Sequence, residues 1–460
     1  MREVAEALRA ELGAGAVTAG DGLPARYLID WSGLPPGRAG LLVRPASTEE
    51  VAKVLAACHR LGQPVVPQGG MTGISGGGRP GGEVVLSLER LRGIEEIDPV
   101  GATMQVWAGT PLEEAQNAAE AAGFLLPLDL GARGSCLIGG NVATNAGGNR
   151  VIRHGMSRAM VLGLEAVLAD GTVITSLNRL LKNNAGYDLK QLFIGSEGTL
   201  GVVTRAVLRL EPKPLTHTAA FLGLPSFAAV VETLTTLRSA LGPSLTAFEA
   251  MWRPYGDAVV EAGVALPVEG RHPFYVLVEQ QGIDPERDPE RLEAALGGLM
   301  ERGLVLDGAL ARSLADVRAF WRVRDAVAEF PRLYGALHAF DVGLPVRHME
   351  AYTEAVTKGL RALLGDDAIL LWFGHLGDGN LHLNVGYRDG RPLPHEAVDD
   401  RVYAPLGAIG GTVTAEHGVG TMKRDHLGAT RSEAEIDLMR RLKAMLDPKG
   451  ILNPGKVLPS

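Results

Sequence analysis

Two stretches of this chain carry so much glycine that they bury almost no side-chain surface of their own. The first, Pro67-Gln68-Gly69-Gly70-Met71-Thr72-Gly73-Ile74-Ser75-Gly76, follows a strand-like PVVPQ. The second, GARGSCLIGGNVATNAGG at 131–148, holds six glycines and hardly a large side chain. Fixing a backbone costs about 1–2 kcal/mol per residue, and glycine loses the most freedom of all. Such segments take their order from outside, most simply from a bound ligand. Consecutive glycines turn their amides inward into a concave nest that binds phosphate oxygens without a cation. Thr72 and Ser75 add hydroxyl donors to the first loop. Gly139-Gly140-Asn141, Thr144-Asn145 and Gly147-Gly148 bring amides and small polar side chains to the second. One such loop alone describes a tight surface turn equally well. Two separated nests suit a pyrophosphate, with one phosphate to each.

The commoner nucleotide geometries do not apply. Gly76-Gly77-Gly78-Arg79-Pro80-Gly81 matches GxGxxG in letters, but that fingerprint must open a helix, and here the strand-like VVLSL follows. No GxxxxGK followed by Ser or Thr occurs, so a P-loop is excluded.

From 40 to 212 short helices alternate with β-rich runs. Ser47-Thr48-Glu49-Glu50 has the form of a capping box, followed by Val51, Val54, Leu55, Cys58 and Leu61 at helical spacing and Gly62 as a stop. Ile94–Ile97 and Met104–Trp107 predict a hairpin around Asp98-Pro99-Val100-Gly101. PLEEAQNAAEAAG reads as a helix and LGLEAVLADGTVI as a strand pair. The composition changes after Glu211-Pro212-Lys213-Pro214. The expected divisions are an N-terminal helical segment (1–39), the glycine-loop domain (40–212), an α/β domain (213–415), and a Gly/Pro-rich return around one helix (416–460). The expected fold class is α+β.

The runs PQGGMTGISGG, PLDLGARGSCLIGGNVATNAGG, NNAGYDLKQLFIGSEGTLGVV and DPKGILNPGK resemble the PCMH-type FAD domain of the vanillyl-alcohol oxidase superfamily. They most resemble its D-2-hydroxyglutarate and D-lactate dehydrogenase branch, which glycolate oxidase catalytic subunits also resemble. The resemblance covers essentially 40–460 and is weakest over 215–310. It implies a two-subdomain FAD-binding domain, a cap domain for the substrate built on an antiparallel sheet, and a C-terminal segment that returns to the FAD domain. By it, Pro67, Gly69, Gly70, Met71, Thr72, Gly73, Ser75 and Gly76 hold the pyrophosphate together with Pro127, Asp129, Gly134, Ser135, Gly139, Gly140, Asn141, Thr144, Asn145, Gly147 and Gly148. Glu197, Gly198, Val202 and Val203 would lie near the adenosine, and Asn453 would approach the flavin ring. Some relatives attach FAD through a His or Cys in these loops. The first loop has neither and Cys136 is the only candidate thiol, so non-covalent FAD is expected.

Ile369–Val385 reads ILLWFGHLGDGNLHLNV, and Asp378-Gly379 between two apolar runs is a strong two-residue hairpin signal. That loop sets His375 opposite His382, and a Gly379-Asn380 loop still leaves both on one face. Asn384 shares that face. Glu416, in Ala415-Glu416-His417-Gly418-Val419-Gly420, offers a third ligand. Two His and a carboxylate suit an open site for zinc or a similar divalent ion. A lone histidine is more often a core residue, but HLGDGNLHLN followed by AEHG matches the family pattern letter for letter.

Trp321-Arg322-Val323-Arg324-Asp325 reads as the opening of a helix. Arg322 suits a solvated face, and the family's substrate-carboxylate arginine falls on Arg324, able to grip a carboxylate with two parallel bonds. One departure stands out. The hydroxyglutarate enzymes place a lysine just before the Tyr-Asp of a later strand, where this chain has Ala339, and Ala328 stands at a hydroxyl-bearing position. His338 is offset by one residue. The distal carboxylate of 2-hydroxyglutarate thus loses its anchor, which shifts the expectation toward lactate-sized D-2-hydroxy acids. In the expected mechanism Arg324 holds the C1 carboxylate, the ion on His375, His382 and Glu416 polarises the 2-hydroxyl, His417 takes its proton, and Asn384 fixes the substrate.

The formal net charge of −8, with no basic stripe, argues against nucleic acid. Two cysteines, Cys58 and Cys136, make no disulfide framework. The start, MREVAEALRAELG, is charged and helical, unlike a secretory signal, and no apolar run suggests a membrane span, so the expected place is the cytoplasm. The electron acceptor (oxygen, a quinone or an electron-transfer protein) and the oligomeric state, a homodimer included, stay open. So do two other readings, the catalytic subunit of a multi-subunit glycolate oxidase and a redox-inert FAD-binding assembly subunit.

Overall fold

The computed structural model describes residues 1–459 and has the expected mix of helix and sheet. It divides into two compact units. The first comprises Met1–Gly148, Gly155–Lys213 and Glu416–Ser460, and the second Asn149–His154 with Pro214–Ala415.

The first unit holds two main sheets. Strands β1 (Val17–Ala19), β2 (Leu41–Val43), β3 (Val65–Gln68) and β4 (Val84–Ser87) form a sheet in the order β1-β2-β4-β3. Strands β2, β4 and β3 run parallel, and β1 pairs antiparallel with β2. The crossover from β2 to β3 is the helix Thr48–Leu61, as its periodicity predicts. Ser47 Oγ accepts from the Glu50 amide, and Gly62 closes the helix in the left-handed region at φ 63°. The capping box is displaced by one residue, since the Glu50 carboxylate reaches the Ala46 amide at 2.7 Å.

The second sheet is antiparallel, in the order β5-β6-β10-β8-β9. Its strands are β5 (Ile94–Asp98), β6 (Thr103–Trp107), β8 (Val161–Val167), β9 (Val173–Ser176) and β10 (Val202–Arg209), and a short pair joins β7 (Phe124–Leu125) to β11 (Glu211–Pro212). The predicted hairpin is β5–β6, and Asp98 stabilises its turn by accepting from the Val100 and Gly101 amides. One apolar core runs through both sheets, from Val51 and Leu86 to Met104, Ala166 and Val202. The N-terminal helix Arg2–Leu12 buries Val4 and Leu8 in it, so residues 1–39 are part of this unit. The C-terminal stretch returns here too. A capping box at Ser432 and Glu435 starts the helix Glu433–Leu446, and Ile451–Asn453 then runs beside β3, bonded to Val65 on both sides.

The second unit is one seven-stranded antiparallel sheet, β15-β12-β14-β13-β17-β18-β16. Its strands are β12 (Thr216–Leu224), β13 (Leu245–Trp252), β14 (Phe274–Gly282), β15 (Asp307–Leu310), β16 (His338–Gly343), β17 (Ala368–His375) and β18 (Asn380–Tyr387). Helices Arg253–Glu261 and Leu314–Asp325 pack on one face through Tyr255, Val259, Phe320 and Val323 against Phe221, Met251, Tyr275 and Phe373.

Each unit carries a buried carboxylate inside an apolar strand. In the second, Glu279 receives Arg150 Nε at 2.8 Å, His217 Nε2 at 2.8 Å, Trp321 Nε1 at 2.9 Å and Thr246 Oγ1 at 2.8 Å. In the first, Glu165 on β8 receives Arg205 Nε and Nη2 at 2.9 and 2.6 Å and the hydroxyls of Thr48, Thr204 and Thr175. Burial alone pushes the Glu165 carboxyl up. Arg205, Thr48 and Thr204 outweigh it and bring the pKa from an ordinary 4.5 to about 2. A depressed folded-state pKa stabilises the protein above the unfolded value, and that stability is lost as pH falls from about 4.5 to about 2, up to about 3 kcal/mol. Glu165→Gln should therefore melt lower at neutral pH and show a shallower fall of Tm across that window. Parallel melting curves for variant and parent would contradict this account.

Candidate functional site

In the second unit the chemistry-bearing side chains share one face of the sheet. Phe373 pairs with His382 across β17–β18, and Leu376–Gly379 form a four-residue turn. This corrects both two-residue loops drawn from the sequence. The turn opens because its backbone is used elsewhere: the Gly377 amide donates to the Phe248 carbonyl, and the Gly379 carbonyl accepts from the Leu344 amide. The shift is by two residues, so His375 and His382 still face the same way. They are diagonal neighbours, with ring centroids 5.3 Å apart.

Strand β13 places Glu249 directly opposite His375. Glu249 Oε1 meets His375 Nδ1 at 2.7 Å, and Glu249 Oε2 accepts from Arg324 Nε at 3.0 Å. Arg324 Nη2 lies 2.9 Å from His375 Nε2. A guanidinium can only donate, so Nε2 is the acceptor nitrogen and Nδ1 carries the proton that Glu249 receives. The Glu249 side chain is 1% exposed and that of Arg324 is 11% exposed, so little water screens the pair. Burial opposes the Glu249 charge, but His375 and Arg324 hold its carboxyl below the usual range. Burial likewise works against Arg324, and Glu249 raises its pKa further above neutrality.

Arg324 lies on the last turn of Leu314–Asp325, not on an opening turn, because Ser313 caps that helix by accepting from the Asp316 amide. The Tyr255 hydroxyl donates to the Arg324 carbonyl, and the guanidinium lies 5.2 Å from the Phe373 ring centre. Asn384 is buried between Leu371 and Ala339, while Ala339 and Ala328 are exposed. His338 is no replacement anchor: its Nε2 is 2.6 Å from Asp399 and its ring packs edge-on against His395.

Sequence reading missed Glu249, and also Asp341, which stands opposite His382 on β16 and accepts from Asn380 Nδ2, Thr414 Oγ1 and the Ala415 amide. The signal was present. In TAFEAMW and HAFDVG a carboxylate interrupts an apolar strand, which is affordable only with buried partners. The donor chemistry of the face suits a divalent ion, since a carboxylate fixing Nδ1–H leaves Nε2 as the ligand nitrogen. On His375 that lone pair also takes Arg324 Nη2, so ion and guanidinium nitrogen exclude each other there.

In the first unit the two glycine blocks touch. A Cβ on Gly70 would run into the Ser135 carbonyl, so only glycine fits. Among the described residues no amide from Gly69 to Gly78 donates to a protein acceptor. Met71 enters the left-handed region at φ 57°. The second block spends its amides differently: Gly139 donates to Ala108, Asn141 to Leu137, Thr144 to Gly140, and Gly148 to Glu416 Oε2 at 2.9 Å. It contains a short helix, Ile138–Ala143, where the sequence reading expects only loop.

Ser75 Oγ, expected as a phosphate donor, gives its bonds to the His417 and Gly418 carbonyls at 2.9 and 3.0 Å. Asp129 is buried beside Arg133 at 2.9 Å, and Val202 and Val203 lie in the core. Asn453 Nδ2 donates to the Gly77 and Glu197 carbonyls, and its buried Oδ1 has no partner among the described residues. Free amides along one loop and an orphaned amide oxygen beside it fit a cofactor with a diphosphate and a hydrogen-bonding ring. Cys136 is buried, and that burial raises its thiol pKa, which disfavours the thiolate. No helix among the described residues is long and apolar enough to cross a membrane.

Comparison with known proteins agrees with these features. A family described as FAD binding domain matches residues 39–176, and one described as FAD linked oxidases, C-terminal domain, matches 213–457. The mitochondrial D-2-hydroxyglutarate dehydrogenase of Bos taurus is 45% identical over 435 residues, 94% of this chain and 79% of that protein. A mitochondrial Schizosaccharomyces pombe protein provisionally named a D-lactate dehydrogenase is 38% identical over 440 residues, 94% of this chain and 84% of its own. The fold is also that of p-cresol methylhydroxylase with substrate bound, at TM-score 0.78 and 16% identity, covering 99% of this chain and 96% of the other. The cytoplasmic expectation is overturned by the mitochondrial relatives: a low cysteine count reports redox poise and does not identify a compartment. With 45% identity over nearly its whole length to a relative of known class, the chain belongs to the FAD-linked oxidase family, in its D-2-hydroxyacid dehydrogenase branch, and is an FAD-dependent hydroxyacid dehydrogenase.

Proposed function

We propose that the chain oxidises a small D-2-hydroxy acid, nearer in size to lactate than to 2-hydroxyglutarate, to its 2-oxo acid. The observation that carries this reading is the Arg324–Glu249–His375 cluster on the sheet face shared with His382 and Asn384. Arg324 is oriented through Nε by Glu249, and its Nη2, which lies 2.9 Å from His375 Nε2, turns to a C1 carboxylate when an ion takes that ring nitrogen. His375 and His382, with Glu416, are the proposed ligands of a divalent ion, zinc or similar. Such an ion, when bound, supplies Lewis acidity to the 2-hydroxyl.

His417 takes the hydroxyl proton as base, and Asn384 orients the substrate. The C2–H bond breaks with its electron pair leaving as hydride, and the C2–O bond becomes the carbonyl. FAD, held without a covalent bond by the 67–76 and 127–148 segments, supplies the electron sink at N5. The lactate-like preference follows from Ala339, exposed on the strand beside Asn384, and Ala328: neither side chain can pair with a second carboxylate, and His338 is committed to Asp399. The mitochondrial relatives set the place in the cell to examine first.

Anaerobic mixing with a panel of D- and L-2-hydroxy acids reads the proposal directly through bleaching of the flavin. Lactate-sized D-acids should bleach it faster than D-2-hydroxyglutarate, L-acids should fail, and chelator treatment should slow bleaching at least tenfold. Faster bleaching by D-2-hydroxyglutarate would overturn the size preference, and indifference to chelators would remove the metal. His417→Ala should lower kcat by about 10²–10⁴-fold with flavin content unchanged, and full turnover in that variant would end its assignment as the base.

A further inference from the structure

The structure assigns Glu197 a role apart from the adenosine: we infer that it is a positioning residue for the segment that carries His417. This rests on the proposed role of His417 as base. Glu197 sits in GSEG, between the short helix Lys190–Phe193 and strand β10, with its backbone in the left-handed region at φ 51°. A side chain is disfavoured there, so the carboxylate is held in place at a cost in strain. It is half-buried, and both its oxygens are used. Oε1 accepts from the Val419 amide at 2.7 Å and Oε2 from the Gly420 amide at 2.9 Å. The backbone of Glu197 is fixed as well: its amide donates to the Ala143 carbonyl at 2.8 Å, and its carbonyl accepts from Asn453 Nδ2 at 2.7 Å.

Two further grips close on the same short segment. Ser75 Oγ donates to the His417 and Gly418 carbonyls, while the Ser75 carbonyl accepts from the Thr421 and Met422 amides. Gly148 N–H binds the Glu416 carboxylate at 2.9 Å. The residues from Glu416 to Met422 form no helix or strand, so bonds from other segments shape their backbone. Glu197 is one such hold, gripping the Val419 and Gly420 amides just beyond His417. A carboxylate is the apt group, since it offers two acceptor oxygens to two adjacent N–H donors where an amide side chain offers one. Burial raises the Glu197 pKa, and the Val419 and Gly420 amides, which favour the charged carboxylate, oppose that rise.

The test uses the flavin-loaded enzyme with Glu197→Gln and Glu197→Gly. Glutamine keeps one acceptor oxygen. Glycine relaxes the positive φ while removing the carboxylate, so a defect there cannot be blamed on backbone strain. Hydrogen–deuterium exchange over 416–422 should quicken in both, more in Glu197→Gly. The flavin content should hold, kcat and the anaerobic flavin-reduction rate should fall roughly 10–100-fold, and KM should change less than about threefold. In a His417→Ala background Glu197→Gly should lower kcat no further, because the residue acts through that imidazole. Unchanged exchange over 416–422 would overturn the inference. So would a loss of rate fully restored by excess FAD, which would return Glu197 to the cofactor, or full additivity with His417→Ala. If no 2-hydroxy acid reduces the parent enzyme, the proposed function fails, and the exchange measurement alone then decides the grip.

Discussion

Amides that the protein leaves without a protein acceptor govern the first unit. Between Gly69 and Gly78 no N–H group donates to a protein acceptor among the described residues, which a folded chain tolerates only where solvent or a ligand completes them. Glycine makes the turn feasible, and the second block presses against it so closely that Gly70 admits no side chain. Residues of this loop and block also reach the C-terminal segment, Ser75 and Gly148 by their bonds to 416–422 and Gly77 by its bond to Asn453. The stretch proposed to frame the cofactor therefore also holds the backbone around the residue proposed as base.

The second unit solves a different problem, carrying charge on a face that is otherwise apolar. Isolated carboxylates in strands β13 and β14 would be costly, yet Glu249 and Glu279 are each saturated by cationic and N–H partners. Trp321 and Arg324, one helical turn apart on Leu314–Asp325, reach one carboxylate each. That double attachment fixes the helix on the sheet and gives Arg324 a single direction. A reach of this kind suits recognition of a carboxylate better than a mobile surface arginine would, because less side-chain freedom is lost on binding.

Much of this was legible from the sequence where local rules suffice. The capped helix at 48–61, the β5–β6 hairpin and the β8–β9 pair follow from caps, periodicity and turn residues. The shared face of His375 and His382 was also readable, since any even shift of register preserves it. What failed needed tertiary information. The turn at 376–379 is widened by Phe248 and Leu344, both distant in sequence. Arg324 moved from the start of a helix to its end because the cap at Ser313 lies outside the motif that drew attention to it. Ser75 spends its hydroxyl on backbone carbonyls more than 300 residues further along the chain, a partner no local pattern announces. Glu249 and Asp341 were visible only as charges breaking apolar runs, a cue that says a partner exists without saying which.

The proposed grip of bare backbone amides on a diphosphate is read out by competition for FAD uptake by the flavin-free protein. If the 69–78 loop recognises phosphate oxygens, ADP should displace FAD and riboflavin, which has the ring but no phosphate, should not. Riboflavin competing as strongly as ADP would show that the ring, and not the amide cradle, holds the cofactor.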